Sequence, residues 1–387
     1  MNESETGTGR QIPVSDDRWQ QARRILCVRL DFMGDVLMTT PAIRALREGG
    51  TDRHITLLGS GSGAAVARLV PEIDHVITYD APWVKSTPPR ANSSPDAAMI
   101  ARLREENFDA AVIFTVYSQN PLPAAFLCHM SDIPLRLAYC RENSYQLLSD
   151  WAPEVEPEHG IRHEVRRHLD LVASVGAQTN DERLSVSFSD TAKQRVYGKL
   201  EREGLALDSP WVVIHPGATA ESRRYPAESF ARAARRLVLE HGVQVVLSGA
   251  RNEAELLERI RHLMAVPAVS LAGALDLEQL AALLYLCPLL IVNNTGPAHL
   301  AAAVGTPVVD LYALTNPQHT PWGVPSRVLF HDVPCKYCYR SICVEGHHNC
   351  LRLVPPAAVV SAALELLGEK ESTGQTERPG LFAPALA

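Results

Sequence analysis

The stretch Leu289–Leu311, LLIVNNTGPAHLAAAVGTPVVDL, decides the fold of this chain. It predicts a buried strand, a sharp polar turn, a short helix and a second buried strand. Thr295 or Asn294 suits the N-cap of that helix, and Pro297 suits its first turn. Gly296 lets a ligand approach the backbone. Helix ends of this kind hold phosphates in α/β proteins, although a purely structural turn is the alternative interpretation.

The rest of the chain repeats this alternation of short apolar runs and amphipathic helical patterns, which is typical of parallel βαβ units. The predicted strands are Ile25–Leu30, His54–Leu58, Val76–Tyr79, Ala110–Phe114, Trp211–His215, Gln244–Ser248, Ala268–Leu271, Leu289–Val292 and Pro307–Leu311. The predicted helices are Val36–Glu48, Gly63–Leu69, Asp96–Glu106, Pro121–His129, His163–Val175, Ala227–Glu240, Glu253–Met264, Leu277–Leu286 and Ala298–Val304. We therefore expect an α/β fold with doubly wound parallel sheets.

A chain of 387 residues exceeds the usual size of one hydrophobic core, so two domains are expected. A polar stretch, residues 176–209, separates the two series of strands. The predicted organisation is a disordered tail at 1–20, a Rossmann-like domain at 21–190, a second one at 191–355 with a Cys-rich loop at 331–350, a C-terminal helix at 356–369 and a disordered tail at 370–387. Two such domains in succession imply a ligand cleft between them.

The composition is that of an ordinary soluble globular protein, with 46% hydrophobic and 21% charged residues. A formal net charge of −7 gives no indication of nucleic-acid binding. The polar N-terminal stretch lacks the apolar core of a signal peptide, and no apolar run reaches the roughly 18 residues of a membrane span. We therefore expect a cytoplasmic protein with at most peripheral membrane contact.

The first predicted strand leads into a turn with candidate functional residues, RLDFMGD, which ends in Met33, Gly34 and Asp35. Gly34 allows an unusual turn, and Asp35 stands at or near the N-terminus of the following helix. Asp35 is interpreted either as an N-cap residue or as a general base that faces the predicted cleft. The two roles are compatible, although a helix N-terminus lowers the pKa of a carboxylate and weakens it as a base.

The strand that ends in His215 continues as HPGATAESRR. Gly217 permits close approach of the backbone, and Thr219 offers a hydroxyl group. Arg223 offers a guanidinium group suited to phosphate, although a surface arginine is often simply solvated. Glu253, after the next strand, either accepts hydrogen bonds from a ribose or occupies the first turn of its helix.

Four of the eight cysteines cluster late in the chain, spaced Cys335-x2-Cys338-x4-Cys343-x6-Cys350, with His347 among them. Thiolates and imidazoles suit tetrahedral zinc, so a structural zinc site is one interpretation. Reduced thiols in a compact loop, or one disulfide pair, are the alternatives. A structural role is favoured over a catalytic one. The other cysteines lie in apolar surroundings and are expected to be small core residues: Cys27, Cys128, Cys140 and Cys287.

Four segments, in order, resemble glycosyltransferase family nine, the ADP-heptose:lipopolysaccharide heptosyltransferases. Residues 25–48, ILCVRLDFMGDVLMTTPAIRALRE, are similar to the opening strand, Gly-Asp turn and helix of that family. Residues 163–176, HEVRRHLDLVASVG, resemble its interdomain helix. HPGATAESRRYPAESFARAA, from 215, and NNTGPAHLAAAVGTPVVDLY, from 293, resemble its second and third landmarks. The resemblance extends from about residue 24 to about residue 355.

The resemblance implies a GT-B fold, with the acceptor on the N-terminal side and the nucleotide sugar on the C-terminal side. It implies inverting transfer of a heptose or related sugar from an ADP-sugar to a glycan or glycolipid hydroxyl, such as one of the lipopolysaccharide inner core, with no catalytic cofactor or metal. Asp35 matches the proposed general base, and Met33 and Gly34 belong to the acceptor-side loop. The implied donor-binding residues are His215, Gly217, Thr219, Arg223, Glu253, Asn294, Thr295, Gly296 and His299.

The chain departs from the family at two of these positions. The family usually has Lys where Arg223 stands, and it often has Asp where Asn294 stands. A secondary metabolite or another glycan is an alternative acceptor, whereas a nucleotide-sugar epimerase of the same architecture and a non-catalytic binding protein are alternative classes. For a membrane-embedded acceptor at the inner face of the membrane, Arg44, Arg47 and Arg53 are candidates for contact with anionic lipid.

Overall fold

The computed structural model describes residues 17–85, 87–313 and 318–372. The chain divides into two compact units, the first ending at Glu182 and the second beginning at Arg183. Each unit contains a six-stranded sheet in which all neighbouring strands are parallel. The predicted α/β class with two doubly wound parallel sheets is confirmed.

The first unit is built around the apolar strand ILCVR, whose residues from Ile25 onward are buried because parallel strands are covered on both faces. Its strands are β1 (Arg24–Arg29), β2 (His54–Gly59), β3 (His75–Thr78), β4 (Ala110–Ile113), β5 (Leu135–Cys140) and β6 (Asp150–Pro153). Its helices are α1 (Asp17–Gln21), α2 (Met33–Glu48), α3 (Gly61–Ala67), α4 (Ser94–Glu105), α5 (Leu122–Met130) and α6 (Glu164–Ala173).

The second unit repeats this plan. Its strands are β7 (Trp211–His215), β8 (Gln244–Gly249), β9 (Val269–Ala272), β10 (Leu290–Asn293), β11 (Val308–Leu311) and β12 (Ser326–Leu329). Its helices are α7 (Asp190–Arg202), α8 (Ala227–His241), α9 (Ala254–Met264), α10 (Leu277–Leu286), α11 (Gly296–Ala303), α12 (Asn349–Arg352) and α13 (Pro356–Ser372). Short 3-10 turns cover Glu221–Arg223 and Arg251–Glu253.

The two sheets have the same strand order, which is that of the Rossmann fold. The first runs β3-β2-β1-β4-β5-β6, and the second runs β9-β8-β7-β10-β11-β12. The order therefore reverses between β1 and β4 in one unit and between β7 and β10 in the other. Ligands of such sheets bind outside the carboxyl ends of the strands at this switch point. Arg29, His215 and Asn293 end three of these four strands.

The predicted strands are all present, with their ends displaced by at most one residue. Sequence patterns missed β5, β6 and β12, which lie at or next to the edge of a sheet. They also missed α7, which lies in the stretch read as polar because its buried side chains are only Ala192, Val196 and Leu200.

The predicted tails and the domain boundary need correction. Residues 17–20 do not belong to a disordered tail, since they form α1 with Trp19 buried and its indole N–H donating to Asp150 Oδ2 at 3.1 Å. Residues 370–372 extend the C-terminal helix α13. The remaining tail residues, 1–16 and 373–387, lie outside the described residues. Residues 183–190 belong to the second unit, where the Ser189 N–H donates to Glu278 Oε1 at 2.8 Å.

Among the described helices, none has the length and apolar character needed to cross a membrane.

Candidate active site

Asp35 lies beyond the carboxyl end of β1, in the first turn of α2. The helix begins at Met33, and the Asp35 carboxylate reaches back so that its Oδ2 accepts the Phe32 N–H at 3.0 Å. A side chain at the third position of a helix that accepts the N–H of the N-cap residue is a known stabilising arrangement. The prediction of an unusual turn at Gly34 is wrong, because Gly34 lies inside the first helical turn and extended Phe32 makes the entry. Asp35 therefore does act as a capping residue, with its side chain 17% exposed.

Arg29, at the end of β1, is a fully buried cation that faces the Asp35 side chain. Its Nη2 lies 3.3 Å from Asp35 Oδ1 and 3.3 Å from Glu164 Oε1, and its Nε lies 3.4 Å from Asp31 Oδ2. Burial raises the pKa of Asp31, against the attraction of Arg29. Gln119, which follows β4, donates from Nε2 to Asp31 Oδ1 at 2.7 Å. The polar groups of the first unit thus converge at the switch point of its sheet.

The arginines suggested for lipid contact are engaged within the first unit. Arg44 Nη2 lies 2.7 Å from Glu72 Oε1, and Arg47 pairs with Asp74 at 2.8 Å. Arg53 is buried and donates to backbone carbonyls. Because their guanidinium groups serve internal contacts, the structure does not support the lipid-contact hypothesis.

In the second unit, His215 and Glu253 meet beside Gly217. His215 Nε2 lies 3.8 Å from Glu253 Oε2, and His215 Nδ1 lies 3.0 Å from the hydroxyl of Ser248. Burial lowers the pKa of His215, against the attraction of Glu253, so the ring is neutral at neutral pH. A Cβ at Gly217 would lie 1.8 Å from Glu253 Oε1. The glycine is thus required for the Glu253 carboxylate to pack against the loop after β7.

The side chain of Asn293 joins the ends of β7 and β10. It donates to the Pro216 carbonyl at 2.7 Å and accepts the Tyr225 N–H at 3.0 Å. The next residue, Asn294, donates to Asp310 Oδ2 at 2.9 Å and to the His319 carbonyl at 2.6 Å. Asn293 thus joins the end of β10 to the loop after β7, and Asn294 joins the segment before α11 to β11 and to His319.

Thr295 occupies the N-cap position of α11, but its hydroxyl donates to the Asn293 carbonyl at 3.1 Å instead of accepting a helical N–H. The side-chain cap expected from Thr295 or Asn294 is therefore not formed. Gly296 is the first helical residue, and His299 is buried in the first turn. The N–H groups at the beginning of a helix have no carbonyl partner within it, and they carry the positive end of its dipole.

Asp310, on β11, is a buried acid beneath this turn. Burial raises its pKa to about 7, while the hydrogen bond from Asn294 and the charge of Arg223 act in the opposite direction. Its Oδ2 accepts from Asn294, whereas its Oδ1 has no hydrogen-bond partner among the described residues. Arg223 thus faces a buried acid, whereas Arg224 donates to the Ala218 carbonyl at 2.8 Å. Thr219 lies exposed in the same loop.

The Cys-rich loop packs on the segment that carries Arg223. The Ser222 N–H donates to the Ser341 carbonyl at 3.0 Å, and the Ser222 hydroxyl donates to the Arg340 carbonyl at 2.7 Å. Cys335 Sγ lies 3.9 Å from His347 Nε2. Burial raises the pKa of Cys350, and the three neighbouring thiols of the loop raise it further.

All eight cysteines lie in the described part of the chain, and none forms a disulfide. Cys27, Cys128, Cys140 and Cys287 are buried, as predicted for core residues. Within residues 17–85, 87–313 and 318–372, no three His, Cys, Asp or Glu side chains are arranged to hold a metal ion. The zinc hypothesis for Cys335, Cys338, Cys343 and Cys350 therefore gains no support from geometry.

Two Rossmann-ordered sheets in one chain, each with polar groups at its switch point, define the GT-B fold class. The family model for glycosyltransferase family 9 (heptosyltransferase) matches residues 97–348. Lipopolysaccharide heptosyltransferase 2 of Salmonella typhimurium is 24% identical over 364 residues, which cover 90% of this chain and 99% of that protein. Because the family model matches more than half of its residues, the chain belongs to glycosyltransferase family 9.

Solved structures of this fold are similar over most of the chain. The family 9 glycosyltransferase of Veillonella parvula has a TM-score of 0.74 at 23% identity, covering 90% of this chain and 98% of that one. ADP-heptose lipopolysaccharide heptosyltransferase II of E. coli has a TM-score of 0.70 at 23% identity, covering 90% and 99%. At these identities the similarity establishes the fold.

Substitution of Gly217 by alanine is expected to weaken donor binding, because the added Cβ displaces the Glu253 carboxylate. Overpacking of this kind costs about 1–3 kcal/mol of stability. We expect ADP affinity, measured by calorimetry, to fall roughly tenfold. Gly198→Ala is the matched control, because a Cβ there, on α7, meets nothing within 4 Å. Equal ADP affinity in both variants would show that the Gly217–Glu253 contact is unimportant for binding.

The free energy of unfolding is expected to depend on pH through Asp310. Its folded pKa of about 7 lies above the unfolded value of 3.8, so between these values the folded state binds the proton more strongly. Stability then falls as pH rises through this window, and it levels off above about 7. Asp310→Asn should remove this component. Urea denaturation of both proteins at pH 5 and pH 8 measures it, and identical pH dependence would contradict the assignment.

Proposed function

We propose that this glycosyltransferase transfers a heptose, or a closely related sugar, from an ADP-sugar to a glycan hydroxyl with inversion at the anomeric carbon. The observation that carries the proposal is that Arg223, the α11 N-terminus and the His215–Glu253 pair lie beyond or at the carboxyl ends of the adjacent strands β7, β8 and β10. Such a site suits a nucleoside diphosphate. The family assignment favours transfer over epimerisation or binding without catalysis.

In the proposed donor site, each group meets a different part of the nucleotide sugar. The N–H groups at Thr295 and Gly296 and the guanidinium of Arg223 bind the diphosphate, with the Thr219 hydroxyl beside them. Glu253 accepts hydrogen bonds from the ribose hydroxyls. Asn294 and His299 shape the diphosphate turn, and His215 supports Glu253.

The proposed reaction breaks the bond between the anomeric carbon and the diphosphate oxygen. The sugar gains oxocarbenium character while negative charge grows on the departing diphosphate. Arg223 and the helix N–H groups stabilise this charge, so the proposal requires no catalytic metal or other cofactor. Asp35 accepts the proton of the acceptor hydroxyl late in the step, when that hydroxyl has become acidic. The bond from the acceptor oxygen to the anomeric carbon forms as the diphosphate departs, on the opposite face of the sugar, which inverts the anomeric configuration.

We propose that the acceptor is a glycan or glycolipid such as the lipopolysaccharide inner core, because the relatives are named lipopolysaccharide heptosyltransferases. Met33 and Gly34, the first residues of α2, then lie on the acceptor side. A secondary metabolite or another glycan is the alternative acceptor. A membrane-anchored acceptor would bring the cytoplasmic enzyme to the inner face of the membrane.

For the Cys-rich loop we propose a structural role, because it supports Ser222 next to Arg223. Zinc bound by Cys335, Cys338, Cys343 and Cys350 is one form of this role, and reduced thiols are the other. Metal analysis of the purified protein distinguishes the two.

We expect ADP to stabilise the protein against thermal unfolding more than UDP or GDP does. A ligand that binds only the folded state adds about 2.7 kcal/mol at a hundredfold excess over its dissociation constant. A thermal-shift panel of the three nucleotides at equal concentration measures the preference. A larger shift with UDP or GDP would argue against an ADP-heptose donor.

Asp35→Asn is expected to lower kcat by about 10²- to 10⁴-fold, the usual contribution of a general base. Asparagine keeps an oxygen acceptor for the Phe32 N–H, so the helix end should persist. ADP affinity should remain unchanged, because Asp35 belongs to the other unit. Asp132→Asn, which removes an exposed carboxylate, is the control. Unchanged turnover of Asp35→Asn would remove Asp35 from the mechanism.

A further inference from the structure

Helix α6 has two buried polar side chains one turn apart, Glu164 and His168, neither of which takes part in the reaction proposed above. Glu164 is 0% exposed and His168 is 1% exposed. His168 Nε2 lies 3.0 Å from Glu164 Oε1. A buried carboxylate is costly unless a cation or hydrogen bonds compensate it. The pair therefore requires a structural or functional explanation.

Both side chains are linked to Asp35 through an intervening residue. Glu164 Oε1 and Asp35 Oδ1 each lie 3.3 Å from Nη2 of Arg29, so they share one guanidinium nitrogen. His168 Nδ1 lies 3.3 Å from the hydroxyl of Thr39, which donates to the Asp35 carbonyl at 2.8 Å. Helix α6 thus contacts the side chain of Asp35 through Arg29 and its main chain through Thr39.

The surroundings of the Glu164–His168 pair include buried aromatic and ionisable side chains. Burial lowers the pKa of His168 to about 4, so its ring is neutral at pH 7, and it packs edge-on against Phe114 with ring centroids 5.0 Å apart. Arg167, the next cation on α6, is paired with Glu154 at 2.5 Å and lies 3.8 Å from Glu156. The ionisable side chains that face one another around the pair are Arg29, Asp31, Asp35 and Glu164.

This arrangement bears on the strength of Asp35 as a base. A helix N-terminus and a neighbouring guanidinium both favour the ionised carboxylate, which weakens it as a proton acceptor. A guanidinium shared among three carboxylates attracts each of them less than one that is held by a single partner. An ionised Glu164 on the far side of Arg29 favours proton uptake by Asp35.

Building on the proposed role of Asp35, we propose that Glu164, held in place by His168, is a positioning residue. It shares Arg29 with Asp35 and so keeps Asp35 basic enough to take the proton of the acceptor hydroxyl. The segment that resembles an interdomain helix thereby acquires a function in the chemical step.

The test is the pH dependence of kcat/KM for Glu164→Gln, which removes the charge and keeps the shape. Arg29 then acts more strongly on Asp35, so the acidic limb of the profile should move to lower pH by roughly 0.5–1 unit. As a weaker base, Asp35 should give a kcat about three- to tenfold lower at pH 7, with the donor KM unchanged. Glu164→Asp, which restores the charge, should recover the wild-type inflection.

Asp170→Asn is the matched control, since it removes a carboxylate from α6 that pairs with Arg162 and not with Arg29. Its pH profile should equal that of the wild type. Asp35→Asn is measured alongside to separate the two proposals. If Asp35→Asn is inactive while Glu164→Gln keeps the wild-type kcat and profile, the role of Glu164 is refuted and the proposed function stands. If Asp35→Asn is active, both fail.

A second variant covers the case in which Glu164→Gln does not fold. His168→Gln keeps the charge of Glu164 but removes the ring that holds it and that contacts Thr39. We expect kcat to fall about threefold or more with donor affinity unchanged. Wild-type kcat in a folded His168→Gln protein would overturn the proposal.

Discussion

A parallel sheet gathers the carboxyl ends of its strands at one edge, and every candidate residue of this protein depends on that constraint. In the first unit it brings the segments after β1 and β4 together, so that Gln119 contacts Asp31 across the switch point. In the second unit it brings the loop after β7 to the end of β10, where Asn293 joins them. The chemistry of each unit is therefore concentrated at one place, although its residues are distant in sequence.

Ionisable side chains inside buried strands are what distinguish these two sites from ordinary sheet edges. Arg29 ends an otherwise apolar run in β1, and Asp310 interrupts an apolar run in β11. Both are fully buried, and both face groups of opposite charge. Because a buried charge costs several kcal/mol unless it is compensated, we read these positions as functional rather than as packing residues.

The sequence was sufficient for the fold class, because apolar runs of four to six residues alternate with helical segments along the chain, as they do in βαβ units. It also located Asp35 and the Asn294–Gly296 turn, since these follow directly on predicted strands. It could not show that Asp35 and Glu164 share one nitrogen of Arg29, because that depends on how α6 packs against α2. A charged residue, Arg29, at the end of an apolar strand was the sequence signal for this arrangement. The same limitation applies to Asp310 and to the contact between Ser222 and the Cys-rich loop.

That last contact has a consequence for biosynthesis. The segment containing Ser222 and Tyr225 is held by carbonyls much later in the chain, those of Arg340, Ser341 and Val354. A polypeptide emerging from the ribosome lacks these supports until translation has passed them. The segment that carries Arg223 is thus completed only after Val354 has been synthesised, and a chain terminated before that residue would lack these contacts.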